Sequence, residues 1–375
     1  MKLFLLLITV LFLSAPFSNA QASNPDYQFS YVKGKVIKII SSKVIAVANI
    51  RGKQEHFITQ ILEGKEKNKI ITLDYFANKQ YGKGVAPGDT IIVRTIQTPE
   101  NKIQYEFYGT YQLPIIFWFL TGFILLLFIV AGKKGIRAFL GLTISVTVLI
   151  TYIAPAITRG IDPLVAATIG AVVILLLTTY ITHGVSLKTT VAIISTGFSL
   201  LISIMFSSFC VHLLGAAGVA DENTKMFILN NATPINPQNL LLAGILIGSL
   251  GALNDITTTQ SITLFALAKE NPKQHLSHLF RKGILIGQEH IASLINTLVL
   301  AYAGTSLVVF FFISLNPNHI PWWALLNNGL IVEELLRAFI GSVTLILSIP
   351  IVTLLGSYTA LHKDDIRSFI LLRIH

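Results

Sequence analysis

Two stretches of the chain set acids, amides and hydroxyls inside long apolar runs. The first, Gly248 to Gln260 (GSLGALNDITTTQ), places Asp255 beside Asn254, Thr257, Thr259 and Gln260. Asp255 lies roughly 25 Å along a helix that begins near Gln238, and a carboxylate carried that deep into a bilayer costs about 2.5–3.5 kcal/mol. An isolated acid at such a depth protonates, which is useful for coupling solute movement to protons. The second stretch, Ile286 to Ser293 (IGQEHIAS), brings Glu289 and His290, followed by Asn296 and Thr297. Glu289, Ser293 and Asn296 recur at i, i+4 and i+7 and share one helical face. Acid, imidazole and second acid near one another would make a proton relay or a cation site. The plainer reading has Glu289 reaching the inner surface and His290 filling a packing contact.

Other polar groups have cheaper explanations. Glu333, Glu334 and Arg337 stand at i, i+4 and i, i+3 and are expected to form a local ion pair at the outer end of the last span. Gly244 and Gly248 form a small-xxx-small pair that lets another helix approach. Enzyme motifs fail on spacing. Two residues separate Glu334 from Arg337, where the glutamate-arginine motif of CAAX-type intramembrane proteases has three. Asn254 stands where the G-x-G-D of intramembrane aspartyl proteases needs its second glycine. There is no G-x-S-x-G, H-E-x-x-H or Walker loop. His183, His212, His275 and His278 lack metal-ligand spacing, and Cys210, alone, makes no disulfide or paired-cysteine metal motif. No catalytic, cofactor-binding or metal-ligating residue is expected, and the chain reads as a non-enzyme.

The elements that must hold these residues follow from composition. The 375 residues are 53% hydrophobic and only 12% charged, with mean hydropathy +0.69, whereas soluble domains carry about 25% charged residues. Nearly half of the charged side chains fall in the first 112 residues, so a normally charged head precedes an apolar body. The net charge of +10 does not imply nucleic acid, because the basic residues divide between the head and short loops between apolar runs.

Met1 to Ala22 reads as a signal peptide: Lys2, an apolar run from Leu3 to Leu13, Pro16, then small residues with Ala20 and Ala22 as cleavage sites. Residues 23–112 are expected to be a small β-barrel or sandwich of the OB or SH3-like kind, with strands at Lys35–Ile40, Lys43–Val47, Lys69–Leu73 and Thr90–Arg94. Residues 113–362 contain seven apolar stretches, about 113–131, 137–157, 163–182, 189–215, 238–267, 284–314 and 334–357, and 363–375 form a tail. The fifth and sixth stretches, about 45 Å each if straight, must tilt, protrude or break. With the head exported, loops on the inner side carry eleven Lys or Arg, among them Lys133, Lys134, Arg137, Lys188 and Lys269, while outer loops carry Arg159 and Lys225. The positive-inside bias thus predicts head out and C-terminus in. Trp322 and Trp323 mark an outer interfacial belt.

Thr178 to Thr190 (TTYITHGVSLKTT), Gly248 to Gln260, Ile286 to Ser293, Asn296 to Gly304 and Glu333 to Arg337, in this order, resemble the YibE/F-like family of bacterial multipass membrane proteins. The family's D-x-T-x-T-Q segment matches Asp255, Thr257, Thr259 and Gln260. Its I-G-R-D-H-I-A-S segment matches Ile286 to Ser293, with Gln288 in place of Arg and Glu289 in place of Asp. The resemblance extends over roughly Tyr31 to Gly356 and implies a membrane protein with an extracytoplasmic β-domain, of a family whose role is uncharacterised and often guessed to be transport.

The expected molecule is therefore an α-helical polytopic protein of the bacterial cytoplasmic (inner) membrane with an N-terminal extracytoplasmic β-domain. Its expected function is ion-coupled transport of a solute or ion, with Asp255, Asn254, Thr257, Thr259 and Gln260 as the central site and Glu289, His290 and Asn296 alongside. The alternative is a non-transporting assembly or sensor protein whose head binds a partner. The lipid bilayer is the expected environment, and a homo-oligomer is left open.

Overall fold

The computed structural model describes residues 28–47, 50–77, 84–98, 102–230, 234–316 and 319–363. The expected signal peptide, residues 1–22, and the tail beyond residue 363 lie outside it. Two compact units divide near residue 129: the first holds the β-domain and the start of the first long helix, the second everything that follows.

The first unit is built on five strands, β1 (Gln28–Val47), β2 (Ile50–Ile61), β3 (Ile70–Ala77), β4 (Thr90–Gln97) and β5 (Ile103–Thr110), in the order β3-β2-β1-β4-β5. Every pairing is antiparallel, and the sheet curls into a half-barrel. Alternating residues point inward, so Val36, Phe57, Ile61, Leu73, Ile91 and Val93 form the core. The runs Lys35–Ile40 and Lys43–Val47, expected as separate strands, belong to one strand. Its register shifts between Val36 and Lys38 and again between Ile39 and Ser41. Such bulges bend a strand, and β1 pairs with β4 through its first half and with β2 through the rest.

The second unit is helical. Among the described residues, six helices are long and apolar enough to cross a membrane: Leu113–Thr158, Pro163–His183, Leu187–Leu214, Pro237–Glu270, Leu276–Thr305 and Gly329–Leu361. The first is a run of α1 (Leu113–Val148), a π-helical turn at Leu149–Ile153 and α2 (Ala154–Thr158). Pro155, which has no N–H to donate, follows that turn, and a π-bulge is one way a helix accommodates the missing bond. Gly132, at φ 56° and ψ −138°, interrupts α1 beside Lys133 and Lys134. The remaining helices are α3 (Pro163–His183), α4 (Leu187–Leu214), α5 (Glu222–Asn230), α6 (Pro237–Glu270), α7 (Leu276–Thr305), α8 (Leu307–Leu315), α9 (Trp322–Leu326) and α10 (Gly329–Leu361). The expected sixth stretch thus begins earlier than residue 284 and divides at Ser306 into α7 and α8, whereas the fifth runs unbroken for 34 residues.

Helices α4, α6 and α10 pack mutually at the centre, with α3 and α7 against α6. Close approach is possible because the shared faces carry small side chains. Ser195, Ser199, Ser203 and Ser207 repeat every fourth residue on α4 and are all buried, as are Thr344, Ser348, Thr353 and Ser357 on α10. Several of these hydroxyls bond back along their own helix, as Ser199 Oγ does to the Ser195 carbonyl at 2.9 Å.

Candidate functional site

Helix α6 is tied to each of its neighbours by a polar bond. Thr179 of α3 donates its hydroxyl to Asn254 Oδ1 at 2.8 Å. The hydroxyls of Thr196 and Thr257 meet at 2.6 Å between α4 and α6. Ser261 Oγ donates to the Lys188 carbonyl at 2.7 Å. Gln260 Nε2 donates to the Gly283 carbonyl of α7 at 2.6 Å and to Thr353 Oγ1 of α10 at 3.0 Å. Thr257 and Gln260 are fully buried. Gly283 and Gly287 make the α7 crossing possible, since a Cβ at Gly283 would lie 2.6 Å from Thr353 Cγ2 and one at Gly287 2.5 Å from Ile349 Cγ2.

The same ties decide which side chains α6 presents outward. Gly244, Gly248, Gly251, Asp255 and Thr259 form its one exposed strip, at the i+3/i+4 spacing of a single helical face. Asp255, expected to be enclosed among Thr257 and Gln260, instead lies with Thr259 on this open side. Helix geometry is the reason: Asn254, Thr257 and Gln260 fall on the packed arc, whereas Asp255 and Thr259 fall together beyond it. The charges acting on His183 are those of Asp255, Lys188 and Lys134. Since Ser261 reaches the Lys188 carbonyl, Asp255 lies about 9 Å along α6 from the start of α4.

Helix α7 has the complementary division. Gly283 and Gly287 are buried, while Gln288, Glu289, Ala292, Ser293, Asn296 and Thr297 are exposed. Glu289, Ser293 and Asn296 do share one face, and it points away from the bundle core. His290 is half-buried, its Nδ1 shielded from solvent and without a hydrogen-bond partner. The two helices run antiparallel, joined by Gln260 to Gly283 at one level and by Tyr302 over Gly248 at another. Between these anchors Asp255 comes level with the His290–Ser293 turn. The residues expected to act together therefore separate into a locking set (Asn254, Thr257, Gln260) and an outward set (Asp255, Thr259, Glu289, Asn296), with His290 at the margin.

At the other end of the bundle the expected trio also divides. Arg337 Nε lies 3.8 Å from Glu334 Oε1, but Glu333 is buried and accepts the Ala220 backbone N–H at 3.2 Å. Its helix turn points it into the α4–α5 connection rather than at Arg337. Nearby, Asp162 Oδ1 caps α3 by accepting from the N–H groups of Leu164 and Val165, and Asn239 of α6 donates to its other oxygen. Sequence reasoning missed Thr179, Thr196 and Thr353, the partners of the α6 locks. Their lone hydroxyls in apolar runs carry no sign of which helix they meet; the four-residue serine repeat on α4 is the one sequence signal that could have marked a packed face.

The β-domain has its own polar cluster. Lys69 Nζ donates to Glu66 at 2.7 Å and to the Tyr105 hydroxyl at 2.8 Å, and that hydroxyl also bonds Glu66. The Lys69 hydrogen bond, with that of Tyr105, holds the Glu66 carboxyl below its usual range. Tyr31 and Tyr108 meet edge to face at 5.0 Å, and the Arg94 guanidinium lies over Phe29.

A bundle of long apolar helices preceded by a small antiparallel β-domain defines a membrane-embedded polytopic protein. Residues 119–362, more than half of the chain, match the family model of YibE/F-like proteins, and the chain belongs to that family. The match begins inside α1, so the β-domain lies outside it. No curated protein and no solved structure matches the chain.

Proposed function

We propose that the protein is an ion-coupled transporter whose coupling site is the outward polar face made by Asp255 and Thr259 of α6 with Glu289, Ser293 and Asn296 of α7. The observation that carries this reading is the exposure of Asp255, with Thr259, on a helix whose neighbouring Asn254, Thr257 and Gln260 are locked into the packing. A carboxylate facing acyl chains would be too costly to keep charged. The face therefore borders water, and an acid in a hydrated seam within the membrane takes up and releases protons or small cations. Glu289 and His290, at the turn of α7 that comes level with Asp255, are the next positions proposed for the same charge. The eleven basic residues on one set of loops support a cytoplasmic position for those loops, by the positive-inside bias. In this proposal the β-domain is extracytoplasmic and the tail is cytoplasmic.

The test is proton flux into proteoliposomes carrying a pH-sensitive dye under an imposed gradient. Asp255→Asn and Glu289→Gln, each with wild-type insertion and thermal stability, are expected to reduce flux to the protein-free background. Unchanged flux in Asp255→Asn would remove the site.

A second reading is favoured by the exposed rings of the β-domain. Phe29, Tyr31 and Tyr108, about half exposed, stand with Arg94 and offer an exposed aromatic surface against which an envelope polymer or a partner protein could pack. Deleting residues 23–111 separates the readings, because transport survives the deletion and a sensing or assembly function is lost.

A further inference from the structure

The lipid-facing surfaces of the other long helices look as a bilayer demands. Along α10 they present Leu335, Phe339, Ile346, Leu347 and Leu354, and along α4 Phe198, Leu201, Met205 and Phe209. The outward face of α7 does not. Over Gln288 to Thr297 it offers two amides, a carboxylate and two hydroxyls, and among the described elements α7 packs chiefly against α10 and α6, on its opposite side. Polar groups of this kind are found in membranes facing other helices or enclosed water, not lipid tails.

We propose that this face of α7, with the open strip of α6 beside it, is the contact between two copies of this chain, and that the coupling site is closed only in the pair. The occupant follows from self-complementarity. Gln288, Ser293, Asn296 and Thr297 each both donate and accept hydrogen bonds, so a two-fold axis that sets each near its own counterpart satisfies both sides without a second kind of partner. Glu289, Ser293, Asn296 and Leu300 follow one another at four, three and four residues. That is the seam spacing of a helix pair, and an asparagine at one seam position is a known way of fixing register. Ala292 and Gly304 on the exposed side let the backbones approach, and a Cβ at Gly251 would meet nothing within 4 Å in the single chain. In the pair, the strip holding Asp255 and Thr259 becomes one wall of a polar seam instead of a lipid-facing surface. Two Glu289 carboxylates drawn together there repel unless a proton or cation lies between them, so this inference rests on the transport reading for its purpose but not for its geometry.

The test is disulfide trapping of the full chain in native membranes. Cys210, the sole cysteine, is first replaced by serine. Ser293→Cys and Asn296→Cys are then oxidised, with Leu347→Cys on the α10 lipid face as the control. Dimer bands from the first two and none from the control are expected, together with a two-copy mass in nanodiscs that Asn296→Leu shifts at least tenfold toward one copy. A one-copy mass with no Ser293→Cys dimer would overturn the proposal. So would a Ser293→Cys that instead bonds a cysteine placed in residues 113–131 of its own chain, or in another protein. If the dimer forms but Asp255→Asn leaves proton flux intact, the pair stands and the transport reading falls.

Discussion

At the scale of single residues, the structure separates side chains that were neighbours in sequence and apparently equal in chemistry. Gln260 is fully buried with its amide nitrogen shared between Gly283 and Thr353, and replacing it with Leu removes both bonds at a cost of about 1–3 kcal/mol. Thr257→Val is milder, about 0.6–1.7 kcal/mol, because Thr196 keeps its bond to the Ala192 carbonyl. Asp255→Asn, on the open strip, costs no stability. Thermal unfolding in detergent should rank the three in that order, and an Asp255→Asn variant as unstable as Gln260→Leu would contradict the assignment of faces. In the β-domain, Glu66 has its folded pKa lowered from an ordinary 4.5 by Lys69 and Tyr105. Its stabilisation is present above that value and is lost as pH falls through the lower folded one. Acid titration followed by near-ultraviolet circular dichroism should show this loss, and Glu66→Gln should abolish that part of the pH dependence. The types of all these residues were legible in the sequence, but their directions were not. A helix that is apolar on every side gives its polar residues no periodic background from which to read inside and outside.

Elements were more legible than contacts. Long apolar runs announce helices because only a hydrogen-bonded helix satisfies its backbone in hydrocarbon, and the expected stretches correspond to the observed long helices, with the first two joined into one run. The division of the sixth stretch at Ser306 was hidden, since nothing apolar about Leu307–Leu315 distinguishes it from a continuation. In the head, Ser41 and Ser42 read as a break, but the bulges of β1 carry one strand through them. The glycines give the element-scale prediction. Gly283→Ala drives a methyl group to within 2.6–2.7 Å of Thr353 and Leu264 and should destabilise the bundle by about 1–3 kcal/mol. Gly251→Ala meets open space and should leave the melting temperature of the single chain no lower. Equal losses for the two would mean that the α6–α7 crossing is wrongly placed.

At the scale of the whole molecule, the role of Asp255 depends on what lies against the outward face of α6 and α7. Composition made the membrane body legible, and the uneven spread of lysines and arginines over the loops is the basis of the orientation proposed for it. The openness of Asp255 was not legible, since it depends on which neighbours the hydroxyls of α3, α4 and α10 select. The most direct measurement is therefore water access at that position. In a Cys210→Ser background, Asp255→Cys and Thr259→Cys should react rapidly with a charged, membrane-impermeant methanethiosulfonate added to inverted vesicles, whereas Leu347→Cys on the lipid face should not react. If Asp255→Cys is as inert as Leu347→Cys from both sides of the membrane, the carboxylate faces no water and the coupling site does not exist.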